Sequence, residues 1–211
     1  MEIQYFGGNC VKINTKKASL VVDDNLKSLG LKSVTRADDI VLITSGESAE
    51  SVADGVKLVI DQPGEYEISD VSVKGIPARA HTDEKGQKSA TIYRLVADDV
   101  RIVALGHIYP ALNETQLEAI GTVDVLLVPV GGHGFTLDSV GALQVIKKIE
   151  PKIVIPTNYA DSGLSYPVPA EDIEAVIKSW AMEPKERTPK LKLKNTDILT
   201  EQTQLIILER Q

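Results

Sequence analysis

The stretch from Val123 to Tyr159 constrains the fold of this chain more than any other. Val123-Asp-Val-Leu-Leu-Val-Pro-Val130 is an almost unbroken apolar run that stops at Gly131-Gly132. A valine-rich run of that kind is a strand buried on both faces. Asp138 stands where a helix N-cap belongs. Val140, Leu143, Ile146 and Ile149, with Ala142 and Val145 beside them, predict one apolar helical face. Glu150-Pro151 ends the helix, because proline has no amide donor and restricts the residue before it. Lys152-Ile-Val-Ile-Pro156 then reads as a second buried strand. Strand, helix and strand at this spacing form a βαβ unit with a right-handed crossover. Ligands of such sheets bind at loops leaving the C-terminal ends of the strands. Here those loops are Gly131-Gly-His-Gly134 and Thr157-Asn-Tyr-Ala160.

The flanking sequence is mostly short β-rich runs. Ile3–Phe6, Cys10–Ile13 and Ser19–Val22 make an opening meander that ends in the turn chemistry of Asp23-Asp24-Asn25. Ile40–Thr44 and Lys57–Ile60 are further strands, with Ser48–Ala53 a short helix between them. Tyr66–Ser69 and Val71–Ile76 alternate in polarity, and Ala90–Leu95 with Val100–Leu105 form a hairpin around Asp98-Asp99. Leu112–Ile120 is helical, with Asn113 as its cap. Glu171–Trp180 is an amphipathic helix presenting Ile173, Val176, Ile177 and Trp180. Pro184–Lys190 reads as a charged connector, and Leu191–Lys194 and Gln204–Leu208 as closing strands. Meanders interleaved with helices, and strands too apolar to face water, predict two packed sheets with helices outside. That is a four-layer αββα sandwich forming a single domain over residues 1–211.

Composition narrows the partners. The net charge of −7 opposes nucleic-acid binding, which needs concentrated Lys and Arg. No apolar run reaches the roughly 20 residues that span a bilayer. Met1–Tyr5 has neither the basic nor the apolar part of a signal peptide. The single cysteine, Cys10, rules out an internal disulfide and fits a reducing cytoplasm. An edge strand, or the outer face of the Glu171 helix, would support a homo-oligomer.

Chemistry is scarce. The three histidines, His81, His107 and His133, each follow a strand. A lone loop histidine is usually solvent-exposed and without a role, but three at strand exits can also build a metal or acid–base site. Ser45 and Ser48 lack a Gly-x-Ser-x-Gly elbow, and Gly131–Gly134 lacks the Lys-Ser/Thr of a phosphate cradle.

Several short motifs in fixed order carry a resemblance. Val21-Val-Asp-Asp24, Ile40–Thr44, Gln62-Pro-Gly-Glu-Tyr-Glu67, Gly75-Ile-Pro77, His81-Thr-Asp83, Val123–Gly132 and Pro151–Pro156 together resemble the metallo-β-lactamase superfamily. The chain is most similar to its small branch of predicted zinc-dependent hydrolases related to ascorbate-phosphate lactonases. The resemblance covers nearly the whole chain. It implies an αββα sandwich with two metal ions at its edge, where a bridging hydroxide attacks an ester, lactone or amide.

This sequence departs from the pattern at the metal ligands. The family's His-x-His-x-Asp-His follows a strand ending in Thr. Here Thr44 is followed by Ser45, Glu47, Ala49 and Glu50 at those positions. His81 matches the next family histidine. His107 stands for the bridging aspartate, and Asn158 for the last histidine. His133 and Tyr159 match no ligand but border the family's cleft. Serine and a neutral amide are poor zinc donors and alanine is none, which leaves Glu47, Glu50, His81 and His107. The resemblance therefore implies that Ser45, Glu47, Glu50, His81, His107 and Asn158 share one cleft. Two functions follow from it. The first is a catalytically silent protein with no cofactor, acting as a binding or assembly module. A carboxylate, Glu47 or Glu50, would there pair with His81, His107 or Arg79. The alternative is a hydrolase of a small ester, lactone or phosphoester, using one divalent ion (Zn, Mn or Fe) in a rearranged site.

Overall fold

The computed structural model describes residues 1–46, 55–194, 198 and 202–211. β1 (Glu2–Gly7), β2 (Cys10–Asn14), β3 (Ser19–Val22), β4 (Ile40–Leu42), β5 (Leu58–Ile60) and β13 (Leu191–Lys192) form a six-stranded sheet in the order β13-β1-β2-β3-β4-β5. β6 (Gly64–Ile68), β7 (Val71–Ala78), β8 (Ala90–Ala97), β9 (Val100–Ala104), β10 (Val125–Pro129), β11 (Ile153–Thr157), β12 (Pro184–Thr188) and β14 (Gln204–Leu208) form an eight-stranded sheet. Its order is β12-β14-β11-β10-β9-β8-β7-β6.

Period-2 alternation explains how the first sheet packs. Leu20 and Val22 of β3 enter the core shared with the second sheet, while Val21 points the other way into a smaller cluster with Cys10 and Leu26. Partly buried Phe6, Leu31 and Val34 cover that smaller cluster. Among the described residues, the outer face of this sheet is therefore covered by coil. The short helix expected at Ser48–Ala53 lies outside the described residues. Tyr93 ties the two sheets together from the core: its hydroxyl lies 3.1 Å from the Ile43 carbonyl and 2.9 Å from that of Ile60, and donates to them.

The βαβ unit forms as the apolar runs predict. β10 and β11 are buried at every position, and β10 pairs in parallel with both β9 and β11. Asp138 caps α2 (Ser139–Ile149) by accepting from the Gly141 amide at 2.7 Å. The buried face is Ala142, Val145, Ile146 and Ile149, whereas Val140 is 58% exposed. The every-third-residue reading fails because about 100° per residue carries nine residues through two and a half turns, placing Val140 opposite Ile149. α1 (Glu114–Ile120) starts one residue after Asn113, in a reciprocal capping box with Gln116. α3 (Ile173–Trp180) is capped by Asp172, and Glu171 lies outside the helix. None of these helices is long and apolar enough to cross a membrane.

Pro184–Lys190 is corrected: Pro184–Thr188 is strand β12, parallel to β14 at the edge of the sheet. Proline and alternating charge look like a connector in sequence. They are also what an edge strand carries to resist further pairing.

β1, β3, β4, β7, β9, β10, β11 and β14 each leave their sheet at a common end, and contacts between the sheets stitch that end together. The Thr91 amide donates to the Thr44 carbonyl at 2.8 Å, the Asn158 amide to Gly8 at 2.6 Å, and the Gln211 amide to Tyr5 at 3.0 Å. This is the end at which the candidate residues emerge.

Candidate functional site

A buried polar relay forms the floor of the strand-exit end. Asp23 follows β3 in a left-handed conformation, and its carboxylate is fully buried. It accepts from Asn9 Nδ2 at 2.6 Å, from the Thr44 amide at 2.8 Å and from the Thr44 hydroxyl at 2.5 Å. Thr157 at the end of β11 donates to Asn9 Oδ1 at 2.6 Å. Charge-assisted bonds of this length hold the exits of β3, β4 and β11 and the β1–β2 turn in one register. Asp24 turns the other way. Its Oδ2 accepts from the Ser33 and Thr35 hydroxyls and from the Val34 and Thr35 amides. Turn chemistry alone does not describe this pair of acids. Both carboxylates act as internal anchors.

Gly106 seats β9 against this floor. Its φ is +64°, and a Cβ there would lie 2.4 Å from Thr44 Cβ and Oγ1, so only glycine lets the two strand exits meet. His107 follows immediately. It is 6% exposed, its ring lies 4.7 Å from Phe135, and its carbonyl accepts from the His81 amide at 2.8 Å. Burial first, and the neighbouring His81 second, push the His107 imidazole down to about 4, so it is neutral at pH 7. That disfavours the expected ion pair to a protonated His107. The Nδ1 atoms of His81 and His107 are both buried and have no hydrogen-bond partner among the described residues. Each such atom costs about 1–3 kcal/mol if left so.

The other predicted positions divide. Ser45 is half-buried and bridges Ala90 across the sheets. Asn158 is left-handed, 6% exposed and pressed against Gly131, where a Cβ would meet its carbonyl at 2.5 Å. Through Thr44, Gly106 and Thr157, the chain segments carrying Ser45, His107 and Asn158 all meet the relay, and His81 joins through His107. His133 is exposed, with left-handed backbone between two left-handed glycines. The Tyr159 side chain turns inward and is buried. It donates to the Leu208 carbonyl at 2.8 Å and lies 5.3 Å from the ring of Tyr5. Glu47, Ala49 and Glu50 lie outside the described residues.

Phe135 and Tyr109, which sequence reasoning did not single out, complete the surroundings together with Arg79. Phe135 lies against His107. Tyr109 lies 5.8 Å from the His81 ring, and the Arg79 guanidinium sits 4.0 Å over Tyr109. For Phe135 and Tyr109 the only sequence signal was position, two residues from a candidate histidine.

The donor set decides how these residues suit a metal. A dinuclear centre needs about six protein ligands of imidazole or carboxylate type. Among the described residues no group of three His, Cys, Asp or Glu side chains could hold an ion. Ser45 and Asn158 supply neither donor type. The described residues thus do not fit a dinuclear centre. They offer one pair of imidazoles with unused nitrogens.

Comparison with known proteins gives the lineage. The chain is 27% identical over 187 residues to a UPF0173 protein of Pyrococcus abyssi, covering 77% of this chain and 85% of that one. It is 25% identical over 222 residues to a protein of Thermoplasma volcanium named a UPF0173 metal-dependent hydrolase, covering 90% and 98%. A metallo-β-lactamase superfamily structure from Thermotoga maritima superposes with a TM-score of 0.75 at 22% identity, over 99% of both chains. The metallo hydrolase Igni18 of Ignicoccus hospitalis gives 0.63 at 18% identity, over 92% of this chain and 99% of that one. Both superpositions bear on the fold alone, and they agree with two sheets flanked by a few helices. Residues 2–158 match the beta-lactamase superfamily domain, and the chain belongs to that family.

Proposed function

We propose that this chain is a metallo-β-lactamase-fold protein whose dinuclear centre is lost, and that its strand-exit end binds a small molecule without hydrolysing it. The observation that carries this reading is the donor set. The described ligand positions hold Ser45, His81, His107 and Asn158, two imidazoles with a hydroxyl and an amide. The relay through Asp23 supports the reading, because its carboxylate accepts from the neutral donors of Asn9 and Thr44 and ties the floor of the end together. A cytoplasmic setting agrees with a buried, free Cys10.

A second reading is favoured by the two unpartnered imidazole nitrogens and by the names of the relatives, several of which are metal-dependent hydrolases. In it Glu47 or Glu50 joins His81 and His107 on a single divalent ion. Such a two-histidine, one-carboxylate set suits Zn, Mn or Fe(II), and the ion would polarise a substrate carbonyl or phosphoryl oxygen.

Thermal melts and a hydrolysis screen separate the two. The binding reading expects the same melting temperature in EDTA and in added zinc, because no metal is linked to folding. It also expects no turnover of lactones or phosphodiesters. A clear drop in melting temperature with EDTA, or zinc-dependent turnover lost in His81→Ala, would establish the mononuclear hydrolase instead.

A further inference from the structure

We propose that Arg79 and Tyr109 form an oxyanion-binding subsite at the rim of the strand-exit end, taking the carboxylate or phosphoryl group of a small ligand. The inference rests on the reading that this end is where a ligand binds. It does not require a metal.

The geometry begins with two loops held side by side. Arg79 follows β7 and Tyr109 lies beyond β9, and the Tyr109 amide donates to the Arg79 carbonyl at 2.9 Å. Ala80 and Ile108 bridge one another, which fixes the pair in register. The guanidinium lies 4.0 Å from the Tyr109 ring centroid, a cation–π stack that flattens it against the aromatic face. Its Nε and Nη2 both donate to the single carbonyl oxygen of Asp83, at 3.1 and 2.7 Å. A guanidinium has five N–H donors. Those two bonds use the Nε side of the fork and leave the Nη1–Nη2 end, which matches a carboxylate or phosphate in bidentate fashion.

Charge adds a second, separate observation. Arg79 is half-buried and makes no ion pair among the described residues, in a chain with 30 acidic and 23 basic side chains. Arg101, Arg187 and Arg210 each have a carboxylate partner within 2.7 Å. The carboxylate of Asp83 feels Arg79 electrostatically but is itself taken up by the Ala80 and Ser89 amides and the Ser89 hydroxyl, so among the described residues no carboxylate occupies the fork of this cation two residues from His81. Tyr109 is 36% exposed, and its ring also faces His81. The apolar part of a ligand held at Arg79 would therefore meet an aromatic surface on its way to the imidazole pair.

The test is an NMR titration of the 15N-labelled full chain in EDTA, with inorganic phosphate in one arm and malonate in the other. The signals followed are the Arg Nε–Hε groups and the amides of residues 79–83 and 107–109. A saturable shift is expected in at least one arm, and the tighter arm identifies phosphoryl or carboxylate as the preferred group. Arg79→Met should weaken binding about tenfold or more, and Arg79→Lys should fall between, keeping the charge but losing the fork. Tyr109→Leu should weaken it less. Because Tyr109→Leu leaves the bonds to Asp83 in place, it protects the test if Arg79→Met folds poorly. Arg36→Met, an exposed arginine on the β3–β4 connection, should bind as the parent does. No saturable binding with or without zinc, or parent-like affinity in Arg79→Met, would overturn the subsite alone. Binding that appears only with zinc and survives Arg79→Met would overturn both the subsite and the metal-free reading.

Discussion

The Thr157–Asn9–Asp23–Thr44 relay and the His81–His107 pair lie at the same end of the sandwich, one contact apart through Gly106, yet they are built in opposite ways. In the relay, the buried carboxylate is met by donors at 2.5 to 2.8 Å. In the pair, two buried ring nitrogens have no partner among the described residues. Buried polar groups are bonded almost without exception in native proteins, so a pair left open among the described residues, beside a bonded network, is the contrast on which the proposed binding end rests. The difference separates a region whose polar groups satisfy one another from a region whose described partners leave two ring nitrogens open.

The largest effect should come from breaking the relay. Asp23→Ala leaves three donors facing a void and should cost about 4 kcal/mol in chemical denaturation, enough to threaten folding. A loss under about 1 kcal/mol would show that the relay does not hold the strand exits together.

His107 should respond with the opposite sign. In the metal-free protein its folded pKa is about 4, below the ordinary value of 6.5. Between those values the unfolded chain binds a proton that the folded chain refuses. Stability should then fall as pH drops from about 6.5 to about 4, by up to about 3 kcal/mol, and be unaffected above that window. His107→Leu should flatten this slope and raise stability at neutral pH by about 1 kcal/mol, because it removes an unsatisfied atom. Denaturation curves from pH 4 to 8 would reveal it, and an unchanged slope in the variant would assign the effect elsewhere.

Gly106→Ala tests the contact between the two regions. A Cβ 2.4 Å from Thr44, at a left-handed φ, should cost about 2–3 kcal/mol and disturb the amide signals of Thr44 and His107 together. The smallest expected change is remote from both regions. Asp138→Ala removes the α2 cap and should cost about 1 kcal/mol with no effect on ligand binding. A comparable loss of binding there would mean that the loop before α2 belongs to the site.

How far these regions could be read from sequence follows from where their partners lie. β10, α2 and β11 were legible because a strand buried on both faces leaves a continuous apolar run, and a capped helix between two such strands has one topology. β12 was not, since Pro184 and the charges of an edge strand are also the signals of a loop. The strand-exit placement of His81, His107 and Asn158 was legible for the same reason as the strands. The relay was hidden because its members are far apart in the chain: Asn9 and Thr157 are separated by 148 positions, and nothing local in either announces the other. The inward turn of Tyr159 was not legible, because a residue after a strand can turn outward or inward, and its bond to Leu208 decides. Arg79 and Tyr109 carry no motif. Their stacking depends on β7 and β9 ending side by side, although a third strand, β8, lies between them in the sheet.

The central claim is that the imidazole pair is not part of a dinuclear metal centre. Metal content of the full chain, purified without added metal and measured by inductively coupled plasma mass spectrometry, tests this most directly. The predicted result is no stoichiometric zinc, manganese or iron, with a zinc titration showing no tight second equivalent, because Ser45 and Asn158 cannot serve as its ligands. Two equivalents of tightly held metal per chain would contradict the claim.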